Sequence, residues 1–170
     1  INLAFTLAQN NNRVLLLEGD MRIPVIASIL RMRETPGLSN VLAGINSLEE
    51  AIRHSALIKN LCILPAGDLP PNPSEMLSSK RMVQILETLV SNFDYIIIDL
   101  PPINAVSDGL IVSKLLSGMI VVVRQDFCDQ SALSEAMRRM ELLQVKVLGF
   151  VFNGARSAVK RYKTYSKSKK

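Results

Sequence analysis

Acidic side chains stand at the ends of two apolar stretches of this chain, in a pattern that suits chemistry on a phosphate. The first stretch leads into Glu18 and Asp20, with Arg22 just after them, and the second leads into Asp99. Carboxylates repel phosphate directly, but they hold Mg²⁺, which keeps its waters and bridges to phosphate oxygens. The guanidinium of Arg22 adds a planar fork of donors for such oxygens. One acidic turn after a strand is common, so the prediction of a magnesium-phosphate site depends on the two occurring together.

Short apolar runs predict the strands that must carry these side chains. They are rich in β-branched residues and bounded by turn residues, which favours buried strands over pieces of helix. The predicted strands cover residues 14–17, 61–64, 95–98, 119–123 and 147–152. Apolar residues at helical spacing predict helices between them, over residues 38–43, 76–90, 107–116 and 130–143.

Capping residues mark where several of these helices begin or end. Asn72 stands three residues before Glu75, which is the spacing of a capping box. Ser47 repeats the device with Glu50, and Gly44 is placed to end the helix over residues 38–43. The helix boundaries are therefore predicted by local chemistry as well as by periodicity.

Strands that alternate with helices imply a doubly wound α/β fold, with a mainly parallel sheet and helices on both of its faces. In such sheets the ligand lies at the carboxyl ends of the strands, which is where the acidic residues fall. Asp68 and Asp108 occupy loops able to approach the same face, but both are interpreted as turn or cap residues. The sequence predicts one domain over residues 1–155, followed by a basic, disordered tail over residues 156–170.

The net charge of +5 comes from the end of the chain. Residues 156–170 carry seven basic side chains and no acidic one, which leaves −2 for the rest. The domain itself is therefore not basic, and no nucleic-acid partner is expected. The tail has two interpretations: a solvated end, or a segment that meets an anionic site or a membrane surface. No run reaches the roughly 18 apolar residues of a membrane span.

The two acidic motifs read E-G-D-M-R-I-P at residues 18–24 and I-I-I-D-L-P-P at residues 96–102. They resemble the Walker A′ and Walker B elements of the bacterial tyrosine kinases, a family within the deviant-Walker ATPases that also include MinD and ParA. The segment P-A-G-D-L-P-P-N-P-S-E-M-L at residues 65–77 is similar to the kinase branch in particular. A tail that contains Tyr162 and Tyr165 matches the same branch.

The resemblance implies a P-loop fold and a protein-tyrosine autokinase that uses ATP and Mg²⁺ and regulates capsular or exopolysaccharide synthesis and export. By the same resemblance, Asp99 would hold the metal through water and share that task with Glu18. Either Glu18 or Asp20 would accept the proton of the tyrosine hydroxyl. Arg22 would bind or neutralise phosphate oxygens. Asn153, after the last strand, would lie near the adenine or serve as a turn residue.

Partners and location are implied by the resemblance as well. Tyr162 and Tyr165 would be autophosphorylated between subunits of a homo-oligomer, although composition alone also accounts for two tyrosines in a tail. A transmembrane activator, a polysaccharide co-polymerase either fused or separate, is the implied partner. The protein is accordingly expected in the cytoplasm, at the inner face of the bacterial plasma membrane.

Two departures from the family's pattern bear on activity. Glu18 stands where the family has Asp, which shifts the carboxylate by roughly 1 Å where positioning supplies catalysis. No G-x-x-x-x-G-K-[ST] loop occurs in the chain, and residues 1–9 match the helix that would follow it. The loop and the first strand are therefore expected upstream, and this part alone is expected to bind little or no ATP. A naturally degenerate copy is the alternative.

Two other functions share these motifs. A MinD- or ParA-like organiser ATPase has the same carboxylates and fold, but it hydrolyses ATP without phosphorylating protein. A non-catalytic scaffold for a membrane polysaccharide co-polymerase would have lost the loop. The P-P-N-P-S-E segment and the tail tyrosines favour the kinase. Phosphotyrosine formation separates the kinase from the organiser, and the upstream coding sequence separates both from the scaffold.

Overall fold

Strands and helices alternate along the chain in a computed structural model, which describes residues 1–155. The contacts divide the chain into a first unit, Ile1–Leu115, and a second that begins at Leu116. The described residues confirm an α/β fold with mainly parallel strand pairing. The predicted tail, residues 156–170, lies outside the described residues.

The first unit contains a four-stranded sheet and the helices that connect its strands. In chain order its elements are α1 (Asn2–Gln9), β1 (Val14–Glu18), α2 (Ile26–Ile29), α3 (Leu38–Ala43), α4 (Leu48–Ala51), β2 (Arg53–His54), β3 (Leu61–Leu64), α5 (Pro73–Leu77), α6 (Lys80–Val90), β4 (Tyr95–Asp99) and α7 (Asp108–Ser113). The strand order is β2-β3-β1-β4. β1 pairs in parallel with both β3 and β4, and the two-residue β2 runs antiparallel to β3. The carboxyl ends of three strands therefore meet at one edge.

The centre of this sheet is β1, which is buried along its whole length because strands flank it on both sides. The side chains of Val14, Leu15, Leu16 and Leu17 have no exposed surface. Small residues of α1, Ala4 and Ala8, belong to the same buried cluster. Burial of each such leucine contributes roughly 1.5–3 kcal/mol. The strand that ends in the first acidic motif is thus one of the most firmly held parts of the unit.

The predicted helix over residues 76–90 is wrong in its continuity. α5 begins at Pro73, directly after Asn72, as the predicted capping box requires, but it ends at Leu77, and α6 begins at Lys80. The break falls where Ser79 accepts a hydrogen bond from the backbone N–H of Met82 at 3.2 Å and so starts a new helix. Ser78 and Ser79 interrupt the apolar pattern, and Ser79 starts a new helix there. Helical periodicity alone did not reveal this start.

The two predicted capping boxes differ in outcome. Around Ser47 the box is present, because its hydroxyl accepts from Glu50 N–H at 3.2 Å while the Glu50 carboxylate accepts from Ser47 N–H at 3.0 Å. Asn72 is the N-cap of α5, but its side-chain amide donates to the Glu75 carboxylate instead of capping the backbone. Gly44 ends α3 in the left-handed conformation, as predicted.

The second unit, over its described residues, is a parallel strand pair joined by a helix. Its elements are β5 (Met119–Arg124), α8 (Gln130–Leu142) and β6 (Val147–Asn153). The Asp129 carboxylate accepts from the backbone N–H of Ala132 at 2.7 Å and so caps α8. No helix over residues 1–155 combines the length and the apolar character needed to cross a membrane.

Gly67 allows the loop after β3 to touch the start of α3. Its φ is +87°, and a Cβ there would lie 2.5 Å from both Ser39 Oγ and Asn40 Oδ1. The backbone N–H groups of Leu38 and Ser39 donate to the carbonyls of Pro65 and Ala66 at 2.8 Å. A side chain at position 67 would separate these two segments.

We expect Gly67→Ala to lower the free energy of unfolding by about 2 kcal/mol, because strain at positive φ and collision with α3 act together. Gly44→Ala is the matched control. Gly44 has a φ of +79°, but its added Cβ would meet only the end of the flexible Arg81 side chain, at 3.0 Å. Urea unfolding measures both losses. Equal losses would show that the conformation of the glycine, and not the close approach to α3, accounts for the effect.

Candidate functional site

The two acidic motifs meet at the carboxyl edge of the four-stranded sheet. The β1–β4 register places Glu18 opposite Asp99 as the last pair of the ladder. The backbone N–H of Gly19 donates to the Asp99 carbonyl at 2.8 Å, and a Cβ on Gly19 would lie 2.9 Å from that oxygen. The chain therefore leaves β1 pressed against the end of β4. The fold brings together the two motifs that the sequence places 81 residues apart.

Glu18 is buried, with 1% of its surface exposed, and its carboxylate is held by backbone donors. One oxygen accepts from the N–H groups of Val25 and Ile26 at 2.5 and 2.6 Å, where α2 begins. The other accepts from Ala66 N–H at 3.3 Å, in the loop after β3. Glu18 thus joins β1 to two loops, and the longer Glu side chain spans the distance to both. Its metal-binding and proton-accepting roles stay predictions.

Asp20 shapes the loop that follows β1. Its Oδ1 accepts from the backbone N–H groups of Arg22 and Ile23, both at 3.0 Å. This is the local turn that an Asp side chain makes with its own following backbone. The side chain is only half-buried, so the carboxylate keeps access to solvent. Asp20 consequently fixes where the Arg22 side chain starts.

Asp99 is exposed at the end of β4, yet neighbouring protein displaces enough of its water to raise the pKa of its carboxyl above the ordinary value. The negative charge of Asp20 adds to that rise. The charge of Asp20 therefore acts on Asp99 at this edge of the sheet. A cation between them would relieve their repulsion.

The donor set suits a metal that keeps much of its own water. Within residues 1–155 no three His, Cys, Asp or Glu side chains converge on one point. Mg²⁺ is commonly bound through one or two carboxylates, with waters and substrate phosphates completing its shell. Asp20 and Asp99 offer such a pair at the sheet edge, whereas the Glu18 carboxylate already accepts three backbone donors. The residues present therefore fit Mg²⁺ that arrives together with a phosphate ligand.

Arg22 binds two side chains from distant parts of the chain. Its Nε donates to Asp108 Oδ2 at 2.8 Å, and its Nη2 donates to Asp108 Oδ1 at 3.2 Å. Nη2 also donates to Ser74 Oγ at 3.0 Å, and the Ser74 hydroxyl donates to Asp108 Oδ1 at 2.6 Å. We call these three side chains the arginine clasp. It connects the loop after β1 to the first turns of α5 and α7.

Asp108 is a fully buried carboxylate, and the clasp keeps it charged. Burial alone would raise its pKa, but the hydrogen bonds from Arg22 and Ser74 outweigh burial and hold the pKa below the ordinary value. The stability that this pair contributes is therefore fully present above the ordinary aspartate pKa of about 4. It is lost only as the pH falls through the lowered value.

Asp108 and Ser74 are site residues that the sequence did not identify. Asp108 was interpreted as a turn or cap residue. Ser74 lies between Asn72 and Glu75 of the predicted capping box, and no role was predicted for it. Their role depends on Arg22, which lies 86 and 52 residues away from them. The only available signal was their position at helix starts near the predicted carboxyl edge.

Three further residues were predicted from the sequence: Asn153, Tyr162 and Tyr165. Asn153 is the last residue of β6 in the second unit, paired in register with Arg124 of β5. Its carbonyl accepts from Gln125 N–H at 2.9 Å, so its backbone extends the strand pairing by one step. Its predicted place near the adenine stays a prediction. Tyr162 and Tyr165 fall outside the described residues.

Comparison with known proteins gives a consistent result. The model of a family described as the AAA domain matches residues 1–147. Tyrosine-protein kinase ptk of Acinetobacter johnsonii is 38% identical over 152 residues, covering 89% of this chain and 21% of ptk. Tyrosine-protein kinase YwqD of Bacillus subtilis is 34% identical over 153 residues, covering 90% of this chain and 64% of YwqD. The chain thus spans less than two thirds of the length of these two relatives.

Solved structures agree with the sequence relatives. The kinase domain of VpsO superposes with a TM-score of 0.86 at 31% identity, over 91% of this chain and 76% of that one. The kinase domain of Escherichia coli ETK gives a TM-score of 0.83 at 32% identity, over 92% and 62%. MinD of Pyrococcus horikoshii, solved with Mg-ADP, gives 0.73 at 24% identity, over 92% and 64%, which shows likeness of fold alone.

Proposed function

Because this chain belongs to the AAA domain family and, within it, to the bacterial tyrosine kinases, we propose that the whole protein transfers the γ-phosphoryl group of Mg-ATP to tyrosine. The observation that carries the proposal is the meeting of the two acidic motifs, with Glu18 opposite Asp99 and the charge of Asp20 acting on Asp99. Relatives named as tyrosine kinases, similar over 89–90% of the chain, support tyrosine as the acceptor.

The three carboxylates divide the work by their surroundings. Bound Mg²⁺ supplies positive charge that offsets the charge on the phosphoryl oxygens. Asp99, exposed at the strand end, would hold that ion. Asp20 keeps solvent access and is the better placed of the two candidates to accept the tyrosine proton. A metal contact for Glu18 would have to reach a buried carboxylate that already accepts three backbone donors.

Most of the catalysis in such a transfer comes from holding the reactants in line. For that arrangement, the chain over residues 1–155 supplies the three carboxylates and the guanidinium of Arg22. The backbone cradle for the phosphates and the phosphate lysine belong, by the resemblance, to a loop upstream of Ile1. Nucleotide binding is therefore proposed for the whole protein, and little or none for this chain alone.

The proposed substrates are Tyr162 and Tyr165, phosphorylated between subunits of a homo-oligomer. The surrounding tail is strongly basic, so each phosphate would offset about 1.5–2 units of its positive charge. The proposal extends to a transmembrane polysaccharide co-polymerase as activator, to a location at the inner face of the plasma membrane, and to regulation of capsular or exopolysaccharide synthesis and export.

We expect the full-length protein, incubated with Mg-ATP, to acquire phosphotyrosine at Tyr162 and Tyr165, read by peptide mass spectrometry. Replacing both tyrosines with phenylalanine removes that label, because phenylalanine offers no hydroxyl to attack the phosphoryl group. Mixing the inactive Asp99→Asn protein with the active double phenylalanine variant tests transfer between subunits. Label on the tail of the Asp99→Asn chain is the expected result.

The other outcomes are equally informative. ATP hydrolysis without phosphotyrosine would replace the kinase with a MinD-like organiser ATPase, which by the resemblance shares the two acidic motifs. Label on tyrosines elsewhere in the protein would retain the kinase and reject the proposed tail substrates. Absence of both nucleotide binding and hydrolysis would leave the non-catalytic scaffold.

A further inference from the structure

The arginine clasp has features that a salt bridge would not need if it served only to connect two loops. Its carboxylate, Asp108, has no exposed surface, although burying a charge is costly unless the charge is paired. Both oxygens of Asp108 accept bonds, and Ser74 accepts from Arg22 while donating to Asp108. A buried, fully bonded anion fixes the orientation of the guanidinium that it faces.

We propose that Asp108 is a positioning residue for Arg22, holding the guanidinium side-on so that its free end meets a phosphate oxygen of the nucleotide. This inference rests on the proposed function, because it needs a phosphate ligand at the carboxyl edge. It adds Asp108 and Ser74 to the site and gives the P-P-N-P-S-E segment a role there through Ser74.

The geometry of the guanidinium supports this division. The contacts with Asp108 use Nε and Nη2, which form one edge of the planar fork. The hydrogens of Nη1 point away from that edge, and 37% of the Arg22 side chain is exposed. An arginine has five N–H donors, so a side-on pair with one carboxylate leaves donors for a second anion. Arg22 is able to serve Asp108 and a phosphate at the same time.

Both ends of the Arg22 side chain are fixed. At the backbone, Arg22 N–H donates to Asp20 Oδ1 at 3.0 Å. At the tip, Asp108 and Ser74 hold the fork through three hydrogen bonds. A free arginine side chain has rotamer entropy, which ligand binding would otherwise have to remove. The clasp fixes the Arg22 side chain before a ligand binds, so less rotamer entropy is lost on binding. Such preorganisation tightens binding.

A second Arg–Asp pair of the same unit provides a control. Arg13 and Asp94 precede β1 and β4, at the opposite edge of the sheet. Arg13 Nη2 donates to Asp94 Oδ1 at 2.8 Å, and the two side chains are 60% and 40% exposed. This pair joins the same two strands but lies away from the proposed ligand. It therefore reports what loss of a surface Arg–Asp contact in the same unit does to binding.

The experiment is a double-mutant cycle on the full-length protein, with the dissociation constant of Mg-ATP as the readout. Asp108→Asn keeps the size of the side chain but removes the charge that holds the fork. We expect it to weaken Mg-ATP binding about tenfold in the wild-type background and to have almost no effect in Arg22→Gln, since the two act as one unit. Ser74→Ala, which leaves the ion pair in place, should weaken binding about threefold with the same dependence on Arg22. Asp94→Asn should leave binding unchanged.

Each departure from this pattern has a defined meaning. If the effects of Asp108→Asn and Arg22→Gln multiply, or if Asp108→Asn binds Mg-ATP as wild type does, the positioning role is rejected. If Asp108→Asn does not fold, Ser74→Ala decides by the same criterion. A wild-type protein that binds Mg-ATP but makes no phosphotyrosine rejects the kinase while leaving the cycle interpretable. A wild-type protein that does not bind Mg-ATP rejects both proposals.

Discussion

Asp99→Asn is expected to lower the rate of tyrosine phosphorylation by the full-length protein about 10²- to 10³-fold while the protein stays folded. The change removes the charge that we assign to the metal, and loss of one preorganised electrostatic group costs a factor of this size. Stability is expected to hold, because Asp99 is exposed and its carboxyl has a raised pKa beside Asp20. Initial rates of phosphotyrosine formation at several Mg²⁺ concentrations measure the effect.

Asp94→Asn is the matched control for Asp99→Asn, since it makes the same chemical change at the other end of the same strand. Its rate should equal that of the wild-type protein. A normal rate in Asp99→Asn at every Mg²⁺ concentration, including limiting ones, would remove Asp99 from the proposed mechanism. A rate restored by excess Mg²⁺ would instead support a role in metal binding.

Glu18→Ala is expected to lower the free energy of unfolding by about 4 kcal/mol. The substitution leaves the backbone N–H groups of Val25, Ile26 and Ala66 without their acceptor, and a buried donor left without a partner costs roughly 1–3 kcal/mol. It also empties buried space beside β1. Urea unfolding of the full-length protein, followed by a probe in this domain, measures the loss.

Variants of graded shape refine this test. Glu18→Gln keeps one acceptor oxygen but turns an NH₂ group toward one set of N–H donors, so its loss should be smaller than that of alanine. Glu18→Asp is one methylene too short to reach both loops, so it should also be destabilising. Glu49→Ala, at an exposed helix position, should change stability by less than about 0.5 kcal/mol. If Glu18→Ala matched Glu49→Ala, the contacts of the buried carboxylate would contribute nothing.

The strands and the meeting of the acidic motifs were predictable because both follow from local sequence. Apolar runs of four to six residues mark the strands, and parallel strands bring their carboxyl ends to one edge. The register between Glu18 and Asp99 agrees with that expectation. What periodicity did not reveal was the end of one helix and the start of another at Ser79, where a local cap overrode the apolar pattern.

The surroundings of the charged residues were not predictable from sequence. Glu18 receives a hydrogen bond from Ala66, 48 residues away, and Arg22 pairs with Asp108, 86 residues away. No local rule connects such positions, because their contacts depend on how loops after different strands approach one another. A buried carboxylate bonded to backbone and an exposed one near a metal site have the same sequence signature.

One part of the site lies on the paired strands β1 and β4, and the other lies on the loop after β1. The two parts are expected to open at different free energies. Glu18 and Asp99 are aligned by a buried ladder, so their alignment is lost only in the large opening that exposes the sheet. Asp20 and Arg22 are held by a turn and by side-chain contacts, which open at lower free energy. Hydrogen exchange of the β1 amides should therefore require global unfolding, whereas exchange of the amides of residues 20–24 should require only a local opening. Mild heating would accordingly release the arginine before it disturbs the paired strand ends, so activity would fade below the temperature at which the domain melts.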